Sequence, residues 1–464
     1  MHLLQLLVND ESYGCEHYRE RSTMARQPRG DGSRGAEQQP LLADTLEGAD
    51  SNGNTSNTAT QSSAASAALN LANTIVGAGL MSLPFCFRVL GLAGGTILLL
   101  VTALITDQSL RMLVRASDVT SVMEYDRLST AVVGKALGAN VVWACILINN
   151  YGILVVDLII IGDILSGKGK VEGLMHHITG AKEGAWFCGR AFTTFAIALC
   201  LEVPLCCART LNAQRVSSMI ALIAPAITFL TMLWRIVSTA LSEGISEPRI
   251  WPDPSQPLSI ISTLSVLFTA YQCHYNIHPQ VKELKHRTLR TMYTVISSSV
   301  GSTTVLYLMV AIGGSLLFGA DTEPDVLLNF AGNHVKDVIV KASYLLAVAF
   351  SFPVVFFTLG QTVSKLLLNT SEPQPLQSFI MTLVIIASQA LLAVVARDIK
   401  VVLKLIGSLV ASVLGYALPG AIAAKVEQTR GGKAVAWTLF GFAVAVGVLG
   451  LVDQIPELIE KAIP

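Results

Sequence analysis

Long apolar stretches alternate with short polar segments from residue 64 to residue 452. Most of these stretches reach the ~20 residues that a helix needs to cross a bilayer. The pattern predicts about eleven spans. In chain order they are Ala64–Phe87, Gly91–Val114, Val141–Leu165, Ala191–Ala208, Val216–Leu241, Ser259–Lys282, Met292–Phe318, Val338–Leu368, Leu376–Ala396, Val401–Ala424 and Ala434–Val452. A mixed segment, Arg115 to Gly138, predicts a short amphipathic helix at the membrane surface.

Two polar ends flank this region. Residues 1–62 are rich in Ser, Gly, Asn, Gln and Arg, which predicts a disordered tail on the cytosolic side. Within it, Glu37 and the pair Leu41-Leu42 fit an acidic dileucine pattern, which a sorting adaptor would bind. Residues 63–452 form the predicted transmembrane domain, and residues 453–464 a short C-terminal tail.

Composition agrees with a polytopic membrane protein: 52% of residues are hydrophobic, 14% are charged and the mean hydropathy is +0.57. Membrane lipids are therefore expected around the chain. The net charge of +0 gives no reason to expect a nucleic-acid partner. Most of the eight cysteines fall in apolar runs, as small hydrophobic residues do, so no metal site and no cofactor are expected.

Basic residues predict the orientation. Two connections on the side of the N-terminal tail carry clusters of them, as cytosolic loops do. These residues are Arg111, Arg115, Arg127 and Lys135 after the second span, and Lys282, Lys285, Arg287 and Arg290 after the sixth. The opposite loops still hold several lysines and arginines, so the bias is incomplete. The expected orientation has the N-terminus inside and the C-terminus outside or in a lumen.

The first span carries an interruption. Gly77-Ala78-Gly79 stands near its middle, with Asn70, Asn73 and Thr74 just before. Small residues allow the backbone to unwind, and unwound backbone in a membrane needs ions or polar substrates as partners. The same residues would also suit a small-residue packing groove between helices. Both interpretations stay open on this segment alone.

The sixth span is interrupted as well. Gln272, His274, Asn276, His278 and Pro279 are too polar for a helix that faces lipid, so the segment is expected to break and face a cavity. Two interrupted spans, five helices apart, are what two inverted five-helix repeats would give, with a site between the broken members.

These two segments carry a resemblance to a known family. Asn70-Leu-Ala-Asn73-Thr-Ile-Val-Gly-Ala-Gly79-Leu-Met-Ser-Leu-Pro84 resembles the opening helix of the amino acid/auxin permeases, and Ala270-Tyr-Gln-Cys-His274-Tyr-Asn276-Ile-His-Pro279 their sixth helix. The match is closest to the sodium-coupled neutral amino acid transporters and the vacuolar amino acid transporters. It covers roughly residues 62 to 452.

The resemblance implies an eleven-helix fold like that of the bacterial leucine transporter, with two inverted five-helix repeats and one extra helix. It implies that Thr74, Gly77, Ala78 and Gly79 meet the substrate carboxylate, where amides at a half-helix N-terminus favour an anion. The matching motifs further place Asn150, His274 and Asn276 at the substrate. A sodium ion would lie between Asn73, the carbonyl of Val76 and Ser351. Ser351 stands where the family often has threonine, which leaves sodium coupling open.

Protons are the competing coupling ion. Asp157 lies inside the third span, where an ionisable group is a functional candidate by default. Glu202, near the end of the fourth span, and His274 are the other candidates, because histidine titrates near physiological pH. A purely structural role for Asp157, bonded to a neighbouring helix, is an equal alternative. Sodium and proton coupling both stay open.

The predicted function is secondary active transport of amino acids, of the neutral class, by alternating access. The alternative is a transceptor, whose tail would report occupancy of the site to a cytosolic partner. An enzyme is not expected: His274 and His278 have the spacing of two zinc ligands on a helix, but Tyr275 replaces the glutamate of that pattern and Pro279 ends the helix. The dileucine pattern favours a vacuolar, lysosomal or other endomembrane location over the plasma membrane.

Overall fold

A computed structural model describes most of the predicted transmembrane domain. It covers residues 63–77, 79–134, 138–168, 171–180, 185–207, 227, 229–239, 241–242, 246–285, 287–330, 335–368, 370, 373–396 and 398–462. The tail with Glu37, Leu41 and Leu42 lies outside the described residues. So do Ala78 and much of the fifth predicted span.

The described chain is almost entirely helical. Its helices are α1 (Ala64–Ile75), α2 (Gly79–Leu90), α3 (Leu92–Thr120), α4 (Tyr125–Val133), α5 (Gly138–Ser166), α6 (Leu174–Thr179), α7 (Arg190–Cys207), α8 (Phe229–Thr239), α9 (Pro257–Ala270), α10 (Ile277–Glu283), α11 (Leu289–Phe318), α12 (Val335–Leu368), α13 (Pro375–Ala396), α14 (Ile399–Val426) and α15 (Arg430–Ala462). Short 3-10 turns lie at Trp186–Cys188, His274–Asn276, Gly319–Asp321 and Val326–Asn329, and π-helical segments at Ala198–Glu202 within α7 and Gly407–Ala417 within α14. Strands β1 (Gly167–Lys168) and β2 (Val171–Glu172) form an antiparallel pair after α5.

Eight helices in the described ranges are long and apolar enough to cross a membrane, or nine if α1 and α2 count as one bent span. The chain is thus an all-helical, multi-pass membrane protein. The sixth predicted span is divided into α9 and α10, each too short to cross alone, and α8 covers only part of the fifth. The total of eleven spans stays a prediction.

Both predicted interruptions are present. The axes of α1 and α2 meet at 61°, and Val76 leaves the helical conformation with φ −72° and ψ 101°. α9 ends at Ala270, and the chain resumes through a 3-10 turn before α10 begins at Ile277. The packing-groove interpretation also holds in part, because Gly79 lies so close to α9 that an added Cβ would be 2.9 Å from the Ala270 Cα. The first break is both an interruption and a close packing site.

Two predicted boundaries were wrong. α3 continues past Val114 to Thr120, because Ala116 and Ser117 extend its buried face, and the chain turns only at Ser121, in a left-handed conformation. The surface helix is consequently α4 alone, with Tyr125 and Leu128 buried on one side.

The last helix likewise continues beyond the predicted end at Val452 to Ala462. Its extension is held by polar contacts that hydropathy does not reveal. Lys404 Nζ on α14 lies 3.1 Å from an Asp453 carboxylate oxygen. Gln454 Nε2 donates to the Gly450 carbonyl at 2.9 Å. Residues 453–462 therefore belong to α15 and not to a separate tail.

The packing of the helices brings the two breaks together. α11 runs along α1, α2 and α3, while α5 runs along α12, and α2 also packs against α9. Because the two interrupted segments face each other between these long helices, their irregular backbone is enclosed by protein, as irregular backbone at membrane depth must be.

Candidate functional site

A cavity of about 380 Å³ lies between the two breaks, α5 and α12. Its volume falls within the range of small-molecule sites. The described residues of its wall are Asn73, Thr74, Ile75, Val76, Gly77, Gly79, Leu80, Asn149, Asn150, Ile153, Asp157, Thr269, Ala270, Gln272, Tyr275, Asn276, Gln280, Tyr344, Ala347, Val348, Ser351, Val354, Val355, Phe357 and Thr358. Asp157 is the one acidic or basic side chain among them.

The first break presents backbone to this cavity. The Val76 amide donates to the Ala72 carbonyl at 2.9 Å, and the Leu80 amide to Gly77 at 3.0 Å, whereas the described hydrogen bonds give no acceptor to the amides of Gly77 and Gly79. A Cβ added at Gly77 would meet nothing within 4 Å. Free amides at the start of α2 in an open space are suited to hold an anionic group.

The second break presents side chains. Gln272 is 6% exposed, and neither its amide oxygen nor its amide nitrogen has a partner among the described residues. The Thr269 hydroxyl lies 3.1 Å from both the Ser265 carbonyl and the Leu403 carbonyl, so it fixes the end of α9 against α14. Asn276 lies on the cavity wall beyond Gln272. A buried amide without a partner is costly, which makes Gln272 a candidate ligand group.

Tyr307 connects the two breaks. Its hydroxyl lies 2.8 Å from the Ile75 carbonyl at the end of α1 and 2.8 Å from the Ala270 carbonyl at the end of α9. Both carbonyls belong to the last turn of a helix, where a carbonyl has no backbone N–H donor within its own helix. One side chain of α11 thus stabilises the ends of both interrupted helices.

α5 contributes polar groups to the opposite wall. Asn149 Nδ2 donates to Asn150 Oδ1 at 3.2 Å, which leaves the Asn149 oxygen and the Asn150 nitrogen without described partners. Asp157 lies two helical turns further along on the same face and is 4% exposed. No described residue donates a hydrogen bond to the Asp157 carboxylate. The purely structural role, a carboxylate bonded to a neighbouring helix, therefore has no described bond behind it.

The three residues of the expected sodium site all line the cavity. Asn73 and Val76 come from the first break and Ser351 from α12. The Ser351 hydroxyl donates to the Val348 carbonyl at 3.0 Å, which leaves its oxygen lone pairs available to a cation. Oxygen ligands from two helices suit a hard monovalent cation.

His274 and Glu202 lie outside the described cavity wall. The His274 ring is fully buried against Tyr416 of α14 at a centroid distance of 5.4 Å, and neither ring nitrogen has a described partner. Glu202, in the π segment of α7, is fully buried, and both carboxylate oxygens lack described partners. It lies within electrostatic range of Asp157. His278 turns away from His274, with its Nε2 2.8 Å from the Ser117 hydroxyl.

Comparisons with known proteins show the family to which the chain belongs. Residues 60–459 match the family described as transmembrane amino acid transporter protein. The chain belongs to this family. Amino acid transporter AVT6E of Arabidopsis thaliana is 32% identical over 415 residues, with 85% of this chain and 84% of that protein covered. Sodium-coupled neutral amino acid transporter 7 of Xenopus laevis is 25% identical, with 84% and 87% covered.

A solved structure resembles this transporter family member in fold. The Eremococcus coleocola manganese transporter matches with a TM-score of 0.51 at 12% identity, over 85% of this chain and 88% of that chain. At this identity the likeness concerns fold alone. The relatives found by sequence are transporters and not enzymes, in agreement with the sequence-based prediction.

Sequence reasoning missed three tyrosine or glutamine residues at the site: Tyr307, Tyr344 and Gln280. Tyr307 stands between two leucines inside an apolar run. A buried tyrosine needs a partner for its hydroxyl, so the residue could have been singled out, but its two carbonyl partners lie more than 30 positions away in the chain. Gln280 follows Pro279, where the helix had been expected to end, so it was not considered as a site residue.

Proposed function

We propose that this chain is a secondary active transporter of neutral amino acids, coupled to sodium or to protons. The observation that carries the proposal is the single cavity into which both helix breaks, the polar face of α5 and Ser351 open. Unpaired amides at the first break suit an α-carboxylate, and the carbonyl ends of α9 and the 3-10 turn suit an α-amino group. The wall has no described basic side chain that would pair with an acidic substrate.

Several finer features belong to the same proposal. The substrate-contacting residues would be Thr74, Gly77, Ala78, Gly79, Asn150 and Asn276. His274, which was also expected at the substrate, lies outside the described cavity wall, so any role it has there would be indirect. The chain would have eleven spans in two inverted repeats, and transport would proceed by alternating access around the cavity. The match to amino acid transporters favours this function over a transceptor. The dileucine pattern supports an endomembrane location and a sorting adaptor as partner.

Two coupling ions are compatible with the geometry. For sodium, Asn73, the Val76 carbonyl and Ser351 would be the ligands. For protons, Asp157 would carry the proton at the cavity, and Glu202, buried close by without a described hydrogen bond, would be the second acid.

The test is uptake of a labelled neutral amino acid mixture into proteoliposomes under a sodium gradient and, separately, a proton gradient. If sodium is the coupling ion, Asn73→Ala abolishes sodium-driven uptake while Asp157→Asn does not. If protons are, Asp157→Asn removes proton-driven uptake and leaves exchange of substrate across the membrane. Absence of uptake from wild type under both gradients, with substrate binding intact, would refute the transport function.

Glu202→Gln is the companion variant to Asp157→Asn and ranks the two candidate acids. Both changes replace a buried carboxylate with an amide of the same shape, but only Asp157 lines the cavity. A proton-coupling role centred on the cavity predicts the larger loss in Asp157→Asn. Equal losses of proton-driven uptake in the two variants would indicate that both acids lie on the same proton path.

A further inference from the structure

A second cavity, of about 560 Å³, lies between the end of α3, the start of α11 and the junction of α14 with α15, and shares no wall residue with the substrate cavity. Arg111, Arg115, Tyr293 and Glu427 lie on its wall, and it is called the arginine cavity below. We propose that the arginine cavity binds the headgroup of an anionic phospholipid. The proposal does not depend on what the substrate cavity carries.

One wall of the arginine cavity is apolar and open. Val119 of α3 and Val435 of α15 are 53% and 57% exposed, and Met112 and Ala116 continue the same surface inward. Both helices are candidate membrane spans, and their exposed valines offer an apolar surface to acyl chains. A lipid could place its chains against this wall while its headgroup enters the cavity.

The polar wall is built around two arginines. Arg111 donates to the Ser297 hydroxyl at 2.6 Å and pairs with Asp107, and its guanidinium carbon lies 4.9 Å from the centre of the Tyr293 ring. Arg115 pairs with Glu427 at 3.1 Å, but its side chain is 59% exposed. Since a guanidinium has five N–H donors, most of those on Arg115 are available to a phosphate.

Two further cations flank the cavity. Arg430 and Lys433 are exposed in the first turn of α15, next to Thr429 and Gly432 of the cavity wall. No described carboxylate forms an ion pair with either. With Arg111 and Arg115 they give four positive groups, against the carboxylates of Asp107, Asp118 and Glu427. The four cations outnumber the three carboxylates, so the net charge around the cavity is positive. It lies at the N-terminus of α15, where an anion is also favoured.

The cavity on the opposite side of the molecule differs in charge. It measures about 620 Å³, and Arg88 and Arg249 on its wall are balanced by Glu247 and Asp253. Under the orientation expected from the basic loops, the arginine cavity faces the cytosolic leaflet, in which anionic lipids are concentrated. The positive charge and the apolar wall of the arginine cavity therefore lie at the same leaflet, the one that contains the anionic lipids.

The experiment is thermal melting of the full-length purified protein in mixed micelles, with phosphatidylserine titrated into phosphatidylcholine. Phosphatidylserine should raise the melting temperature of wild type. Arg115→Gln should require about fivefold more phosphatidylserine for the same rise, since one surface cation contributes on that scale. The double variant Arg430→Gln, Lys433→Gln, which breaks no described ion pair, should shift the titration in the same direction.

Arg249→Gln is the matched control, because it removes an exposed, paired arginine from the charge-balanced cavity. Its titration should match that of wild type. The proposal is overturned if the cavity variants titrate like wild type, or if phosphatidylcholine alone stabilises equally. Equal stabilisation by glycerol 3-phosphate in detergent would also overturn it, because the site would then bind a free phosphate ester and not a lipid.

Discussion

The two breaks that enclose the substrate cavity are made in different ways. At the first, the chain has small residues and the backbone itself faces the cavity, with Gly77 in open space and Gly79 tight against Ala270. At the second, polar side chains occupy the gap between α9 and α10, and Gln272 lies there without a described partner.

This difference separates two kinds of recognition. Backbone amides are common to every residue, so the first break can bind only what all amino acids share, the α-carboxylate. Side chains can be changed one at a time, so differences in substrate preference are expected to map to the second break and to α5. Tyr307 contacts the backbone at both breaks, so we expect it to support their structure and not to discriminate between substrates.

The largest effect is expected from alanine at Gly79. An added Cβ would lie 2.9 Å from a backbone atom of Ala270, so α2 and α9 must move apart. We expect Gly79→Ala to lower the free energy of unfolding by about 1–3 kcal/mol and to reduce uptake more than tenfold. Melting temperature and proteoliposome uptake measure the two effects.

Gly77→Ala is its control at the same break. Nothing lies within 4 Å of the added methyl, so the melting temperature should not fall, while uptake decreases because the methyl enters the space near the free amides. A drop in melting temperature equal to that of Gly79→Ala would contradict the contrast between the two glycines.

A middle-sized effect is expected from Tyr307→Phe. Loss of the hydroxyl leaves the Ile75 and Ala270 carbonyls without this donor, at a cost of about 1–2 kcal/mol, and should loosen both breaks together. Hydrogen exchange at residues 72–80 and 267–277 would report this loosening.

Tyr271→Phe gives the comparison for Tyr307→Phe. It breaks a single contact, the 2.8 Å hydrogen bond between Tyr271 and Thr304, and leaves the Tyr307 hydroxyl within hydrogen-bonding distance of both carbonyls, which share its one proton. Exchange should then increase at the second break only. If hydrogen exchange in Tyr307→Phe became faster at one break only, the inference that Tyr307 connects the two breaks would be wrong.

The smallest effect on stability is expected from the ion pair that joins the end of α10 to Glu124. Lys282 Nζ on α10 lies 3.0 Å from a Glu124 carboxylate oxygen. Partial burial alone would raise the pKa of Glu124, but the hydrogen bond and charge of Lys282, with the charge of Arg127, lower it below the ordinary value of 4.5. The pair therefore stabilises the fold above pH 4.5, and this contribution is lost as the pH falls through the lowered pKa.

Because the pair is well exposed, Glu124→Gln should cost only about 0.5 kcal/mol or less at pH 7. The difference in melting temperature between wild type and Glu124→Gln should shrink as the pH is lowered to 3. A difference that persists unchanged at pH 3 would show that the carboxylate charge is not its source.

Apolar runs and their interruptions were enough to predict most of the described long helices and the position of both breaks. Asn73, Thr74, Asn150 and Asp157 all line the cavity. Asn73, Thr74 and Asp157 stood out as polar residues in apolar surroundings, whereas Asn150 was expected only from the family resemblance. Tyr307 escaped because its partners are backbone atoms distant in the chain. His274 had the same polar signal as Gln272, yet the direction in which each side chain points depends on the turn between α9 and α10, which no local pattern determines.

The pair formed by Lys404 and Asp453 has a practical consequence for handling this protein. Hydropathy alone invites a C-terminal truncation, or a fused reporter, directly after Val452. Such a cut would remove Asp453 and leave the amine of Lys404, whose side chain is 10% exposed, without its carboxylate. The loss of this partly buried ion pair is expected to destabilise the contact between α14 and α15, so purification tags belong beyond the end of α15 at Ala462.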